Sequence, residues 1–186
     1  MIITHYREKL INSIIYFTKN TKKLGKTKLM KLLYSLDFVH FKETGKSVTG
    51  LEYFAWERGP VAKELWKELT NTMQPDMKHA INIIQIDDFQ KIVSKAKFND
   101  YYFSKREKRL LNEISEIYKE ANANQMVEIS HLRQKPFDKT LRTKGKNQKI
   151  DYLLAIDDKD ENSLEYEEAK ERMDEIAEMH TIFGTV

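Results

Sequence analysis

The adjacent residues Ser130 and His131 come closest in this sequence to a nucleophile and its base. An imidazole activates a hydroxyl only when the two lie within hydrogen-bond reach and a third group orients the ring. The surrounding sequence predicts a short helix from about Asn124 to Leu132, where neighbouring side chains point about 100° apart. We therefore expect His131 to be a packed, hydrogen-bonded side chain, and we expect the chain not to be an enzyme.

Neither metal nor phosphate chemistry is indicated by the spacing of the other reactive residues. The chain has no cysteine, and its histidines are scattered without a ligand-like pair three or four residues apart: His5, His40, His79, His131 and His180. Gly25-Lys26-Thr27 is similar to the end of a phosphate-binding loop, but the earlier glycine is absent from residues 20–24 and a predicted helix precedes it instead of a strand. We expect no metal and no cofactor.

Length and composition indicate the class of protein. A chain of 186 residues can form one domain with a core that needs no disulfides, and the absence of cysteine suits a reducing compartment. The N-terminus lacks a basic-then-apolar leader, and no apolar run approaches the roughly 20 residues that cross a bilayer. We expect a cytoplasmic protein with no membrane partner.

The net charge of +3 hides a separation of charge along the chain. Residues 7–31 and 133–149 are strongly basic, whereas acidic residues dominate beyond Asp151. Basic surfaces bind phosphates by releasing counterions, so a nucleic-acid-binding transcriptional regulator is one hypothesis. Solvated lysine faces are the commoner explanation, no recognition-helix motif is evident, and the acidic tail would compete for the same surface. That tail could contact either the chain's own basic surface or a basic partner.

The most patterned stretch runs from Leu24 to Val61. A helical spacing of apolar residues begins it, at Leu29, Leu32, Leu33, Leu36 and Val39. Gly45 is expected to end this helix in the left-handed conformation. The alternation from Leu51 to Trp56 predicts a strand, and Gly59-Pro60 is expected to end the strand and place proline in the first turn of the next helix.

The remaining segments complete a predominantly helical α+β fold. Strands are predicted at Ile81–Ile86 and Ile92–Phe98, and Ser104 with Glu107 predicts a capping box that opens a helix. Pro136 is expected to begin a short helical turn, and residues 143–149 are predicted to be an exposed loop. We expect a single compact domain with a small antiparallel sheet and a charged C-terminal helix.

Several motifs together resemble the Panacea (SocA-like) antitoxin domain. They are Leu29-Met30-Lys31-Leu32-Leu33-Tyr34, Thr44-Gly45-Lys46, the segment Phe54 to Val61, and, in the second half, Ser104, Glu107, Tyr118, Ser130-His131 and Pro136-Phe137. The resemblance covers roughly residues 4–155, and Phe137 stands where the family prefers tryptophan. It implies a bacterial or prophage antitoxin of a type II toxin–antitoxin system, which neutralises a cognate protein toxin by binding it and has no catalytic residues.

Six residues are predicted to contact the toxin: Tyr53, Phe54, Trp56, Arg58, Lys28 and Lys31. Tryptophan and arginine supply much of the affinity at desolvated interfaces. The alternative is that Trp56 belongs to the core and Arg58 pairs with a local carboxylate. Neutralisation could work by blocking the toxin, by distorting it, or by delivering it to a protease or chaperone. We assign residues 1–156 to the Panacea-like domain and residues 157–186 to an acidic linker and a helix docked on it.

Overall fold

The computed structural model describes residues 4–121, 135–156 and 164–183. Its helices are α1 (Tyr6–Asn20), α2 (Lys26–Thr44), α3 (Lys63–Thr70), α4 (Pro75–Ala80), α5 (Lys105–Tyr118), α6 (Lys135–Thr143), a 3₁₀ turn (Tyr152–Ala155) and α7 (Leu164–Phe183). Its strands are β1 (Tyr53–Trp56), β2 (Gly59–Ala62), β3 (Ile81–Ile86) and β4 (Phe89–Ser94). The predicted α+β, predominantly helical class is confirmed, with two antiparallel hairpins instead of one small sheet. The predicted helix over 124–132, including Ser130-His131, and the acidic linker lie outside the described residues.

Helix α2 forms the centre of the fold. It packs against α1, α5, β2 and the 3₁₀ turn, so that its polar face is buried together with the predicted leucine stripe. A helix that is enclosed on all sides belongs to the core, and each buried leucine stabilises the fold by about 1.5–3 kcal/mol. Gly45 ends α2 with a φ of 68°, as predicted. The hairpins and the other helices are therefore positioned by their contacts with α2.

The first hairpin pairs β1 with β2, and here one prediction was wrong. Pro60 lies within β2 opposite Ala55, and α3 begins only at Lys63. Trp56 and Gly59 close a two-residue turn, so the Ala55–Pro60 pair is one that exchanges no ladder hydrogen bonds. Proline is tolerated at this position because the N–H that it lacks would point away from β1.

The predicted exposed loop at residues 143–149 is mostly exposed, but its last part also forms a pairing with β1 that the sequence did not indicate. Its side chains before Ile150 are exposed, but its backbone pairs with the second edge of β1. The N–H of Ala55 donates to Gln148 O at 2.9 Å, and the N–H of Ile150 donates to Tyr53 O at 2.8 Å. Polar side chains do not prevent this pairing, because the hydrogen bonds use only main-chain groups.

The second hairpin, β3–β4, confirms the predicted strand Ile81–Ile86 and shifts the next strand to Phe89–Ser94. The shift follows from the turn at Asp87-Asp88, where Asp87 has a φ of 48°. Asp is one of the few residues that tolerate this left-handed conformation. The N–H of Ile92 donates to Leu24 O at 2.8 Å and ties the hairpin to the beginning of α2.

Helix α5 packs against α2, α6 packs against the 3₁₀ turn, and α7 contacts the C-terminal end of α2. The predicted capping box at the start of α5 is confirmed, since Ser104 and Glu107 each accept from the other's backbone N–H. Pro136 lies in the first turn of α6, as predicted. Arg172 of α7 donates to Thr44 O at 2.8 Å, which places α7 at the C-terminal end of α2.

Candidate protein-binding surface

Asp37 anchors the chain that leads into β1. It is completely buried, and its carboxylate accepts from the backbone N–H groups of Val48 and Thr49, both at 2.8 Å, and from the hydroxyls of Thr49 and Tyr53. Burial raises the pKa of Asp37 to about 6, although the hydrogen bonds from Thr49 and Tyr53 act in the opposite direction. The hydroxyl of Tyr53 is therefore used to fix β1 on α2.

Lys28 and Lys31, two of the six predicted contact residues, are also buried. The ammonium of Lys28 donates to Lys22 O at 2.8 Å and to Lys119 O at 3.3 Å, joining the end of α1 to the end of α5. Loss of hydration lowers the pKa of Lys28 to about 8 and also lowers the pKa of Lys31. Like Tyr53, these residues present almost no side-chain area to a partner.

Phe54, Trp56 and Arg58 are the predicted contact residues that present area at the surface. Phe54 and Trp56 are half-buried, and Arg58 is exposed in the β1–β2 turn. The ammonium of Lys63 lies 3.8 Å from the centroid of the Phe54 ring, a cation–π contact. The Trp56 ring packs against the core and keeps an accessible side, so its contact with a partner stays a prediction.

Trp66 of α3 extends this surface and was not among the predicted contact residues. Its ring lies edge-to-face with Trp56 at a centroid distance of 5.7 Å, and the ammonium of Lys26 lies 5.5 Å from its centroid. The structure leaves Trp66 half-buried, whereas Leu65 and Leu69 of the same helix are buried. We define the aromatic–cationic surface by these residues: Lys26, Phe54, Trp56, Arg58, Lys63 and Trp66.

A recess of about 620 Å³ continues the surface from Trp66 to the second hairpin. It is lined by Lys23, Gly25, Lys26, Thr27, Lys28, Trp66, Gln85, Asp88, Phe89 and Gln90. The Phe89 ring lies so close to Gly25 that a Cβ there would be 2.9 Å from Cε2 of Phe89. Basic side chains outnumber the acidic one in this lining, so the recess favours an apolar group accompanied by negative charge.

The second hairpin also exposes apolar side chains that sequence reasoning missed. Ile84, Ile86 and Phe89 are 36%, 44% and 38% exposed and lie on one face of the hairpin. The signal was present in the sequence, because β3 has isoleucine on both of its faces although a half-buried strand needs only one apolar face. An exposed apolar cluster of this kind is typical of an interaction site.

A second recess, of about 870 Å³, lies beside α1 and the chain before β1. Two of its basic side chains are already paired with carboxylates. Arg7 lies 2.7 Å from both Glu68 and Asp76, and Lys149 lies 2.5 Å from Glu52. These ion pairs occupy Arg7 and Lys149, although Lys46 and Lys144 also line this recess.

The part of the chain that the structure describes contains no cluster of three or more histidine or acidic side chains that could hold a metal ion. Within the same residues, no helix combines the length and the apolar character that crossing a membrane requires.

A protein-family model described as "Antitoxin SocA-like, Panacea domain" matches residues 29–136. The match confirms the resemblance over more than half of the chain and is shorter than the predicted range of 4–155. It includes both hairpins and Trp66, and it begins one residue after Lys28. Searches of the curated proteins and of the solved structures found no significant match.

Proposed function

This chain belongs to the SocA-like antitoxin family with a Panacea domain, and we propose that it neutralises a cognate protein toxin of a type II system by binding it directly. The aromatic–cationic surface and its recess are the proposed contact. Neutralisation would then depend on affinity, and we assign no residue a catalytic role.

Two contacts support this proposal most strongly: the ring contact between Trp56 and Trp66, and the cation–π contact between Lys26 and Trp66. Tryptophan and arginine are enriched at binding hot spots, and Arg58 lies in the turn of the same hairpin. The indole N–H of Trp56 is buried and has no acceptor among the described residues. Phe89 of the second hairpin lines the recess together with Trp66 and Lys26, so apolar and basic side chains adjoin there.

The direct test combines charge reversal with a matched control. Lys26→Glu and Arg58→Glu should each weaken toxin binding about tenfold or more, because each replaces an attractive charge by a repulsive one at the contact. Lys105→Glu is the control, since this exposed residue is the first of α5. The next residue, Arg106, donates to Glu43 O at 3.4 Å, near the end of α2 that lies roughly 28 Å from Lys26. Binding to the product of the adjacent gene is measured by calorimetry, and rescue of growth is measured on co-expression.

Two results would contradict the proposal. The first is wild-type protein that neither binds that product nor rescues growth; the second is equal weakening by all three substitutions. The same proteins titrated against DNA at two salt concentrations test the alternative of a transcriptional regulator. Binding that falls steeply as salt rises, and that both surface substitutions abolish, would favour nucleic acid as the ligand.

A further inference from the structure

Strand β3 is an edge strand without the usual protection against pairing. Its sequence, Ile-Asn-Ile-Ile-Gln-Ile, contains no charge and no proline, and its register with β4 contains no bulge. Natural edge strands commonly carry lysine, proline or a bulge, because unpaired backbone groups readily accept another strand. From Asn82 to Ile86 every side chain of β3 is at least partly exposed.

The register shows which backbone groups of β3 face outward. Ile86 and Phe89 close a two-residue turn, so the even-numbered residues of β3 exchange hydrogen bonds with β4. Ile81, Ile83 and Gln85 therefore direct their N–H and C=O groups away from β4. The same rule predicts an outward N–H at Ile92 of β4, and that group does donate away from β3, to Leu24.

Few of these outward N–H and C=O groups form hydrogen bonds with other described residues of the chain. The N–H of Ile81 donates to Met77 O, and the N–H of Ile83 is bound only by the side chain of Asn82, at 3.0 Å. No described backbone group pairs with Gln85 on this edge. The C=O of Ile81 and the outward groups of Ile83 and Gln85 can therefore receive an added strand.

We propose that the added strand is β3 of a second copy of this chain, running antiparallel and centred on Ile83. Ile83 then pairs with Ile83 of the second copy, and the N–H of Gln85 donates to the C=O of Ile81. The contact is self-complementary, as a two-fold interface requires, and it joins the two hairpins into one continuous sheet. It involves neither the toxin nor the charges of the aromatic–cationic surface.

Charge complementarity favours a second copy in this alignment. Asp87 and Asp88 are exposed at the tip of the hairpin, and Lys78 and His79 are exposed at the end of α4 just before β3. Antiparallel pairing centred on Ile83 brings the acidic tip of each copy to the basic end of α4 in the other. The paired strands themselves are uncharged, so no like charges oppose each other along the sheet.

The first test measures mass against concentration by sedimentation velocity. The wild-type protein should shift from monomer to dimer as its concentration rises. Gln85→Lys should remain monomeric. The pairing places residue 85 of one copy opposite Ile81 of the other copy, beside the basic end of that copy's α4, so the added positive charge is repelled as well as being placed on the edge. Gln90→Lys is the matched control, since Gln90 is the cross-strand partner of Gln85 on β4, and it should dimerise like the wild type. A wild-type monomer at every concentration, or a Gln85→Lys variant that dimerises normally, would overturn the proposal.

The absence of cysteine allows a second test of the alignment. Asn82 of one copy should lie opposite Ile84 of the other as a non-hydrogen-bonded pair, with Cα atoms about 4.5 Å apart, which is within disulfide range. Mixing the single variants Asn82→Cys and Ile84→Cys under mild oxidation should give a crosslinked dimer that neither variant gives alone. Rapid crosslinking of Ile84→Cys with itself would overturn the alignment centred on Ile83, and no crosslink in any mixture would overturn pairing through β3.

Discussion

Asp37 illustrates how a single polar side chain positions the candidate surface. It lies inside α2, yet it binds two backbone amides and two hydroxyls of the chain that leads into β1. Unpaired buried donors are costly, so these contacts hold residues 48–53 in one arrangement. Lys28 acts similarly by joining two carbonyls from distant elements. The polar residues of α2 thus fix the position of neighbouring segments, among them the chain that leads into β1 and its surface residues.

The raised pKa of Asp37 predicts a pH effect on stability. Its ordinary pKa of 3.8 rises to about 6 in the folded protein, so between these values the folded state holds more protons than the unfolded state. This carboxyl therefore contributes stability at low pH that is lost as the pH rises through about 6, by up to about 3 kcal/mol. The difference in unfolding free energy between wild type and Asp37→Asn, measured in urea from pH 4 to pH 7, should reveal this slope.

Other titrating groups make the unfolding free energy rise with pH, opposite to the effect of Asp37. Taking the difference between wild type and Asp37→Asn cancels their contribution. The pKa of Asp76, for example, is lowered by its hydrogen bond from Arg7. Burial raises the pKa of Glu107, but the hydrogen bonds from Lys9 and from the N–H of Ser104 outweigh it and lower the pKa, so both carboxylates add stability as the pH rises. A wild type and a variant with parallel pH profiles would show that Asp37 titrates as it does in the unfolded chain.

The second hairpin depends on a close contact with the first turn of α2. Gly25 lies immediately before α2, where a Cβ would be 2.9 Å from the Phe89 ring and 3.2 Å from the carbonyl oxygen of Gln90. The hydrogen bond from Ile92 to Leu24 lies beside this contact. A side chain at residue 25 would therefore displace the Phe89 ring, which lines the recess, or tighten the contact with Gln90 O.

Gly25→Ala should accordingly lower the free energy of unfolding by about 1–3 kcal/mol, because the added methyl group overpacks the contact. Phe89→Ala removes the nearest part of the obstacle, the ring. In the Gly25→Ala/Phe89→Ala double variant, the loss should be smaller than the sum of the two single losses, as measured by urea unfolding. Strictly additive losses would show that Gly25 and Phe89 do not interact.

Helix α7 is attached at the end of α2 that lies away from Lys26. Ala169 is the only described side chain of α7 that is buried; it packs against Gly45, and Arg172 binds the last carbonyl of α2. Cations stabilise helix C-termini, but one such contact contributes only about 0.3–1 kcal/mol. The contacts of α7 thus contribute little to the core around α2.

Deleting the residues after Asn162 should therefore leave a folded protein and an unchanged affinity for the toxin. The melting temperature should fall by only a few degrees, and calorimetry should give the same binding constant for full-length and shortened chains. A large change in affinity would place the acidic tail in the contact with the partner. Loss of cooperative unfolding would instead make α7 part of the core.

Local patterns in the sequence identified those features that depend on nearby residues. The leucine stripe of α2, the left-handed Gly45, the alternation of Tyr53 and Ala55, and the capping box of Ser104 all follow from helix and strand periods or from backbone conformation. The family also followed from short motifs within the matched range. Such features could be predicted because each is decided within a few residues of the chain.

The tertiary structure decided which residues reach the surface. Lys28 and Lys31 are hydrophilic in isolation, yet neighbours from distant parts of the chain bury them. Ile84 and Ile86 of β3 lie partly in solvent, whereas Ile81 of the same strand is buried. Burial depends on which elements meet, and these elements are far apart in sequence. The sequence alone therefore determined the local elements and the family, whereas packing around α2 selected the side chains that a partner can touch.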